Sequence, residues 1–162
     1  MRRNAYRWAG LAAAALLAAC GTVASLQPGM TRADVTARWG PPTRVVPLAF
    51  GERLQYVYQP FGQETVMVDL DPAGRVVQAR QVLNEAEFAR ISTQGDWTRA
   101  DIEREFGPPA WTESVGSWDG PIWTYRWRGG MVDQMFYVYL DRAGVVRRAH
   151  AGMDPRQFRD RR

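Results

Sequence analysis

Apolar residues stand four apart in two short stretches, Val35/Trp39 and Ile102/Phe106, and alternate with polar ones in six others. Four-residue spacing puts each pair on one helix face. Thr31 and Thr98 stand ahead as N-caps, with Asp34 and Asp101 three residues on, a variant of the capping box. Gly40 and Gly107 supply the stop, and the Pro pairs after them forbid continuation. Each pattern predicts a helix of about nine residues, too short to hold without packing. Alternation predicts strands over 54–59, 65–71, 75–81, 122–128, 134–141 and 145–150. Asp71-Pro-Ala-Gly74 and Asp141-Arg-Ala-Gly144 read as hairpin turns, with Gly taking the positive φ. Glu85–Ile91 and Pro155–Arg161 each suggest a further short helix.

The two helical stretches are copies. Thr-Arg-Ala-Asp-Val-Thr-Ala-Arg-Trp-Gly-Pro-Pro (31–42) and Thr-Arg-Ala-Asp-Ile-Glu-Arg-Glu-Phe-Gly-Pro-Pro (98–109) share seven of twelve residues at an offset of 67. The same offset sets Tyr56-Val-Tyr58 against Trp123-Thr-Tyr125. Beyond that it becomes 70, matching Val66–Asp71 to Phe136–Asp141, Gly74 to Gly144, Val76 to Val146 and Phe88 to Phe158. The three extra residues are expected in the second hairpin, near Gly129-Gly130. A period this long marks a duplicated small domain, not a solenoid. One copy alone would be a marginal domain, whereas two copies packed together bury far more. The fold class expected is α+β: tandem units of helix and three-stranded antiparallel sheet, with helices on one sheet face.

Alternation also sorts the faces. Phe136, Val138 and Leu140 match Val66, Val68 and Leu70 and should meet the helices. Trp123, Tyr125 and Trp127 share a face and form core. Met135, Tyr137 and Tyr139 then point the other way, where the first copy has Met67 and Asp69. Arg126 and Arg128 join them. Exposed Tyr and Arg together make interface hot spots, so Tyr137, Tyr139, Arg126 and Arg128 are candidate partner contacts. The same face is equally open to cover by the other copy, or to solvent. Trp111 and Trp118, between helix and sheet, are either partner contacts or a local lid.

Composition narrows the chemistry. All 21 cationic residues are Arg, and Cys and His occur once each. No lysine serves Schiff-base or P-loop chemistry. No Cys or His set suits a zinc site, and no metal or cofactor is expected. His150 stands without a sequence partner for catalysis. Asp69-Leu-Asp71 resembles a weak calcium loop, but its counterpart carries Tyr139, which favours a plain turn. No carboxylate pair is marked out as acid and base, so the chain reads as a non-enzyme. The net charge of +4 is uneven. Three Arg precede residue 8, and residues 147–162 hold six Arg against two Asp. Residues 20–146 are left at −3, which argues against nucleic-acid binding. The basic tail either touches anionic lipid headgroups or is a solvated end.

Arg2, Arg3 and Arg7 precede eleven small apolar residues, Ala9–Ala19, too few to span a bilayer, which takes about 20. Leu17-Ala18-Ala19-Cys20-Gly21 follows, and this resembles the lipobox of bacterial lipoproteins. The resemblance implies cleavage before Cys20 and acylation of Cys20; Gly21, in place of Asp, implies sorting to the outer membrane. Each buried CH₂ contributes about 0.8 kcal/mol, so several acyl chains anchor nearly permanently. Gly-Met-Thr-Arg-Ala-Asp-Val, Trp-Gly-Pro-Pro, Tyr-Val-Tyr and Asp-Pro-Ala-Gly-Arg-Val, in that order and twice, resemble the SmpA/OmlA (BamE-like) lipoprotein domain. In its tandem form the chain is similar in architecture to beta-lactamase inhibitor proteins, whose copies share one curved sheet. The organisation expected is signal peptide 1–19, lipidated tether 20–28, first repeat 29–83, and second repeat 84–162 with a leading helix and basic tail. The resemblance implies an outer-membrane lipoprotein facing the periplasm. It would act as a binding or scaffold module in envelope assembly, with barrel-assembly components as partners. Inhibition of a periplasmic or secreted hydrolase is the alternative. Two full domains in one chain depart from the single-domain BamE pattern, so only Cys20 transfers as a site residue.

Overall fold

The computed structural model describes residues 23–154, an α+β structure with two separate four-stranded antiparallel sheets. After a 3-10 turn at Val23–Ser25 come helix α1 (Arg32–Trp39) and strands β1 (Arg44–Leu48), β2 (Gly51–Val57), β3 (Thr65–Leu70) and β4 (Val76–Gln81). Helices α2 (Glu85–Phe88) and α3 (Arg99–Phe106) lead into β5 (Trp111–Glu113), β6 (Ile122–Gly129), β7 (Val132–Leu140) and β8 (Val146–Met153). Each sheet keeps sequence order, every strand beside its predecessor.

The helices begin as their sequences dictate. Thr31 Oγ1 accepts from the Asp34 amide at 3.1 Å, and Asp34 accepts from the Thr31 amide at 2.8 Å. Thr98 and Asp101 repeat the arrangement. Each box satisfies two of the amides a helix start leaves unpaired. Both helices end at a positive-φ glycine, Gly40 or Gly107. Val35 and Trp39 pack on Leu54, Tyr56, Val66 and Val68; Ile102 and Phe106 pack on Trp123, Tyr125, Phe136 and Val138. The turns at Asp71–Gly74 and Asp141–Gly144 close as expected, each Gly amide donating to the Asp carbonyl at 2.9 Å.

Three expectations are corrected. Each sheet has four strands, not three. β1 contains Pro47 and β5 is three residues long, so neither shows a strand pattern, yet both pair as edges, where a proline is tolerated. Whether the two sheets join, which the sequence left open, is settled: they are separate, unlike the shared curved sheet of the inhibitor proteins. The offset is also redistributed. Tyr56 donates to the Gly40 carbonyl at 3.1 Å and Tyr125 to the Gly107 carbonyl at 2.8 Å, which makes Tyr56 the counterpart of Tyr125. Two of the extra residues therefore precede β6 and one lies in the hairpin. Tyr58, earlier matched to Tyr125, is half exposed at the hairpin tip. The helix after β4 is shorter than 85–91, and the one expected over 155–161 lies outside the described residues.

Two glycines show how closely the copies agree. Each sheet has a register irregularity at the same place, Asp69/Leu70 and Tyr139/Leu140. Gly51 and Gly120 face it. A Cβ there would fall 1.9 Å from the Leu70 carbonyl oxygen or 2.1 Å from that of Leu140, and both residues hold positive φ.

Candidate interaction face

The first repeat's core lies between α1 and one face of its sheet. Its other face carries Gln55, Met67 and Arg80 in one row, and Arg53, Asp69 and Gln78 in the next. Here the second repeat's α3 docks. Arg53 holds Asp69 with two nitrogens, at 2.5 and 2.9 Å, and donates to the Arg104 carbonyl at 2.8 Å. Gln55 donates to the Glu103 carbonyl at 2.9 Å. Glu105 receives Arg53 at 3.1 Å and Arg80 at 3.2 Å, with Arg104 at 3.1 Å. Met67 is fully buried in the second repeat's core, beside Val82, Leu83, Phe88, Ile102 and Phe106. Helix α3 is thus apolar toward its own sheet and charged toward the other.

Charges out of water need partners, and these have them. Burial pushes the Glu105 carboxyl up, but the Arg53, Arg104 and Arg80 cations outweigh it and hold its pKa below the ordinary range. Burial likewise works against the Arg53 cation, and Asp69 and Glu105 more than restore it.

The corresponding face of the second sheet has the same rows and different residues. Trp111, Thr124, Tyr137 and His150 are paired across its four strands; Glu113, Ile122, Tyr139 and Arg148 form the next row. His150 lies between the two tyrosines, with centroids 5.3 Å from Tyr137 and 5.5 Å from Tyr139, and its Nε2 is 3.2 Å from the Tyr139 hydroxyl. The Arg148 guanidinium stands 5.0 Å over the Tyr139 ring, a cation–π contact. Trp118 meets Tyr139 edge-on at 5.2 Å and donates to the Leu140 carbonyl at 2.8 Å, which fixes the loop ahead of β6 against the rim. Ile122, Thr124 and Met135 form a buried floor, while Trp111, Tyr137, Tyr139 and His150 keep exposed area. Partial burial, then the nearby Glu113 charge, raises the Tyr137 pKa. Tyr137 is therefore a neutral donor and acceptor across the physiological range.

Of the residues singled out from sequence, Tyr137, Tyr139, Trp111 and Trp118 come together here. Arg126 points to the same side but serves as a joint. Its Nη1 donates to the carbonyls of Pro60 at 2.8 Å and Phe61 at 3.1 Å, and Asp154 lies 3.8 Å from its Nε. Arg128 is at the hairpin end of β6, ion-paired to Asp133 at 3.3 Å. It lines a cleft of about 740 Å³ on the core side with Asn84, Phe88, Trp127, Gln134 and Phe136. Past the last pair with β8, Gln134–Met153, β6 and β7 continue as a two-stranded ribbon at Arg128–Asp133 and Gly129–Val132, where twist is strongest and alternation loses its link to one face. Cys20 lies outside the described residues. Glu113 was not singled out, His150 was weighed only for catalysis, and Arg148 was read only as part of the basic tail. A straight count back from the Asp141–Gly144 turn pairs His150 with Phe136; the register shift at Tyr139/Leu140 moves it opposite Tyr137, which a count along the chain does not show.

Among the described residues no group of three or more His, Cys, Asp or Glu is placed to hold a metal ion. No described helix is long and apolar enough to cross a membrane.

No family model matches the chain, and no curated protein sequence does. Two solved structures are similar to it at low TM-score. One is a DUF4309 family protein (YjgB) from Bacillus subtilis subsp. subtilis str. 168, at 17% identity and TM-score 0.31, covering 76% of this chain and 78% of that one. The other is an extracellular protein containing a SCP domain from Bacillus anthracis str. Ames, at 14% identity and TM-score 0.32. This chain is covered over 99% of its length and spans about half of that protein, 53%. Similarity at this level assigns neither a family nor a function.

Proposed function

We propose that this protein is a non-catalytic binding module of the bacterial cell envelope. Acylation of Cys20 holds it to the outer membrane, facing the periplasm, and it takes a protein partner on the open face of its second sheet. One observation carries the binding reading: in the first repeat the equivalent face is filled by a helix, and in the second the same rows present Trp111, Tyr137, Tyr139, His150 and Arg148. Aromatic and Arg side chains on a semi-rigid floor are the composition of interface hot spots. The lipobox and the two-fold BamE-like pattern supply the location and the link to envelope assembly.

The test replaces Tyr137 by a photo-crosslinking amino acid in the native envelope and identifies the products by mass spectrometry. A barrel-assembly subunit as the adduct supports the assembly role. A single soluble hydrolase in its place redirects the reading to an inhibitor. No adduct at Tyr137, with an adduct from a probe at Val77 on the first sheet's outer strand, would refute the assignment of this face.

A further inference from the structure

Five of the large apolar side chains that face solvent are gathered at one end of the molecule. The hairpin joining β2 to β3 exposes Tyr58 and Phe61, the latter 93% exposed, and the hairpin joining β6 to β7 exposes Met131, at 99%, and Val132. Met153, 63% exposed, ends β8 opposite Gln134, next to that second hairpin. The two hairpins are fastened together. Besides the Arg126 bonds to Pro60 and Phe61, Gln59 donates to the Arg126 carbonyl at 2.7 Å and accepts from its amide at 3.0 Å. The exposed side chains therefore project from a braced platform rather than from two independent loops.

Both ends of the described chain lead to the same region. The Ser25 hydroxyl accepts from the Trp39 indole at 3.3 Å and its carbonyl from Arg38 at 2.7 Å, at the C-terminal end of α1. Trp39 packs edge-on against Tyr56 at 5.3 Å, two residues before Tyr58. Cys20 precedes Ser25 by five residues, a reach of at most about 18 Å. At the other terminus the Asp154 amide donates to the Asp133 carbonyl beside the second hairpin, and the sequence continues into Arg156, Arg159, Arg161 and Arg162. The opposite end differs in chemistry: it carries the ion pairs Arg32–Glu52, Arg142–Asp119 and Arg147–Asp141, with Phe50, in the hairpin joining β1 to β2, exposed.

We infer that the two hairpin tips form a lipid-contacting end: Phe61 and Met131 enter the headgroup boundary of the bilayer in which Cys20 is anchored. Exposed apolar side chains beside basic ones bind such a boundary by buried area plus attraction to anionic headgroups. This stands the strands across the membrane plane and turns the open aromatic face sideways, clear of lipid. The inference rests on the anchor proposed above.

The test uses the mature acylated protein reconstituted in vesicles of phosphatidylethanolamine and cardiolipin. Acylation occupies Cys20, so Met131→Cys carries the single free thiol for an environment-sensitive fluorophore; Arg142→Cys places the same label at the opposite end. Brominated acyl chains should quench the label at 131 severalfold more than at 142, and adding Phe61→Asp should reduce that quenching. Equal, weak quenching at both positions in a chain whose mass shows acylation would overturn the lipid-contacting end and leave the anchor standing. A mass without acyl chains would overturn the anchor and the inference together.

Discussion

The row Gln55–Met67–Arg80 in the first sheet and the row Thr124–Tyr137–His150 in the second occupy the same register, on the face turned away from the helix of their own repeat. The first is closed. Its cations grip Glu103 and Glu105 of α3, and its methionine is swallowed by the neighbouring core. The second is open and aromatic. The helices differ to match: α3 carries Glu103 and Glu105 where α1 carries Thr36 and Arg38, and Arg38 is exposed, with neither sheet of the described residues on that side of α1. The two repeats share their architecture and differ at one sheet face and one helix side, the surfaces that stack them. What remains unmatched is the last sheet's outer face. Closing the first face required desolvated charges paired with opposite ones, at the cost of leaving Arg80 Nε and Gln55 Oε1 buried without a hydrogen bond; leaving the second open requires side chains that tolerate both water and a partner, and Tyr, Trp and His do so.

Breaking the closed side should have the largest effect. Glu105→Ala strips four arginines (Arg53, Arg80, Arg90 and Arg104) of a shared partner and should cost about 3–5 kcal/mol, read by urea denaturation. Tyr139→Ala on the open side should leave most of that stability intact while abolishing crosslinking at Tyr137. If both variants unfold alike, the contrast between the faces is wrong. The glycines test the likeness of the two repeats instead. Gly51→Ala and Gly120→Ala should each cost about 3 kcal/mol, since both force a Cβ onto a backbone oxygen at positive φ. One tolerated and one not would break the structural pairing of the copies.

The acid limb of stability sharpens the comparison. Glu105 and Glu87 have folded-state pKa values below their ordinary 4.5, in spite of burial, because of Arg53 and its neighbours at Glu105, and Arg80 and Arg90 at Glu87. A depressed carboxyl contributes stability that is complete above its unfolded pKa and lost as pH falls through the folded one. The joint should therefore weaken below about pH 4.5, and Glu105→Gln should flatten the fall in melting temperature over that range. The smallest effect belongs to the caps. Thr31→Ala and Thr98→Ala should each cost about 1 kcal/mol, seen as matching shifts in thermal melts.

Much of this was legible in the chain. The capping boxes, glycine stops, Asp–Gly turns and alternating runs are local physics, settled within a few residues, and the duplication doubled each signal. So α1, α3 and six strands could be read directly, as could the Trp123–Tyr125–Trp127 core. Tyr137 and Tyr139 on the far face followed from strand alternation alone. The edge strands β1 and β5 were hidden because an exposed edge needs no apolar pattern and is formed by its neighbour's free amides. Tertiary structure alone decided that Met67 is core, that Arg126 is a brace, and that His150 stands between two tyrosines. Each depends on which surface another part of the chain brings up, and alternation says only that a side chain faces away from its own helix, not what it will meet there.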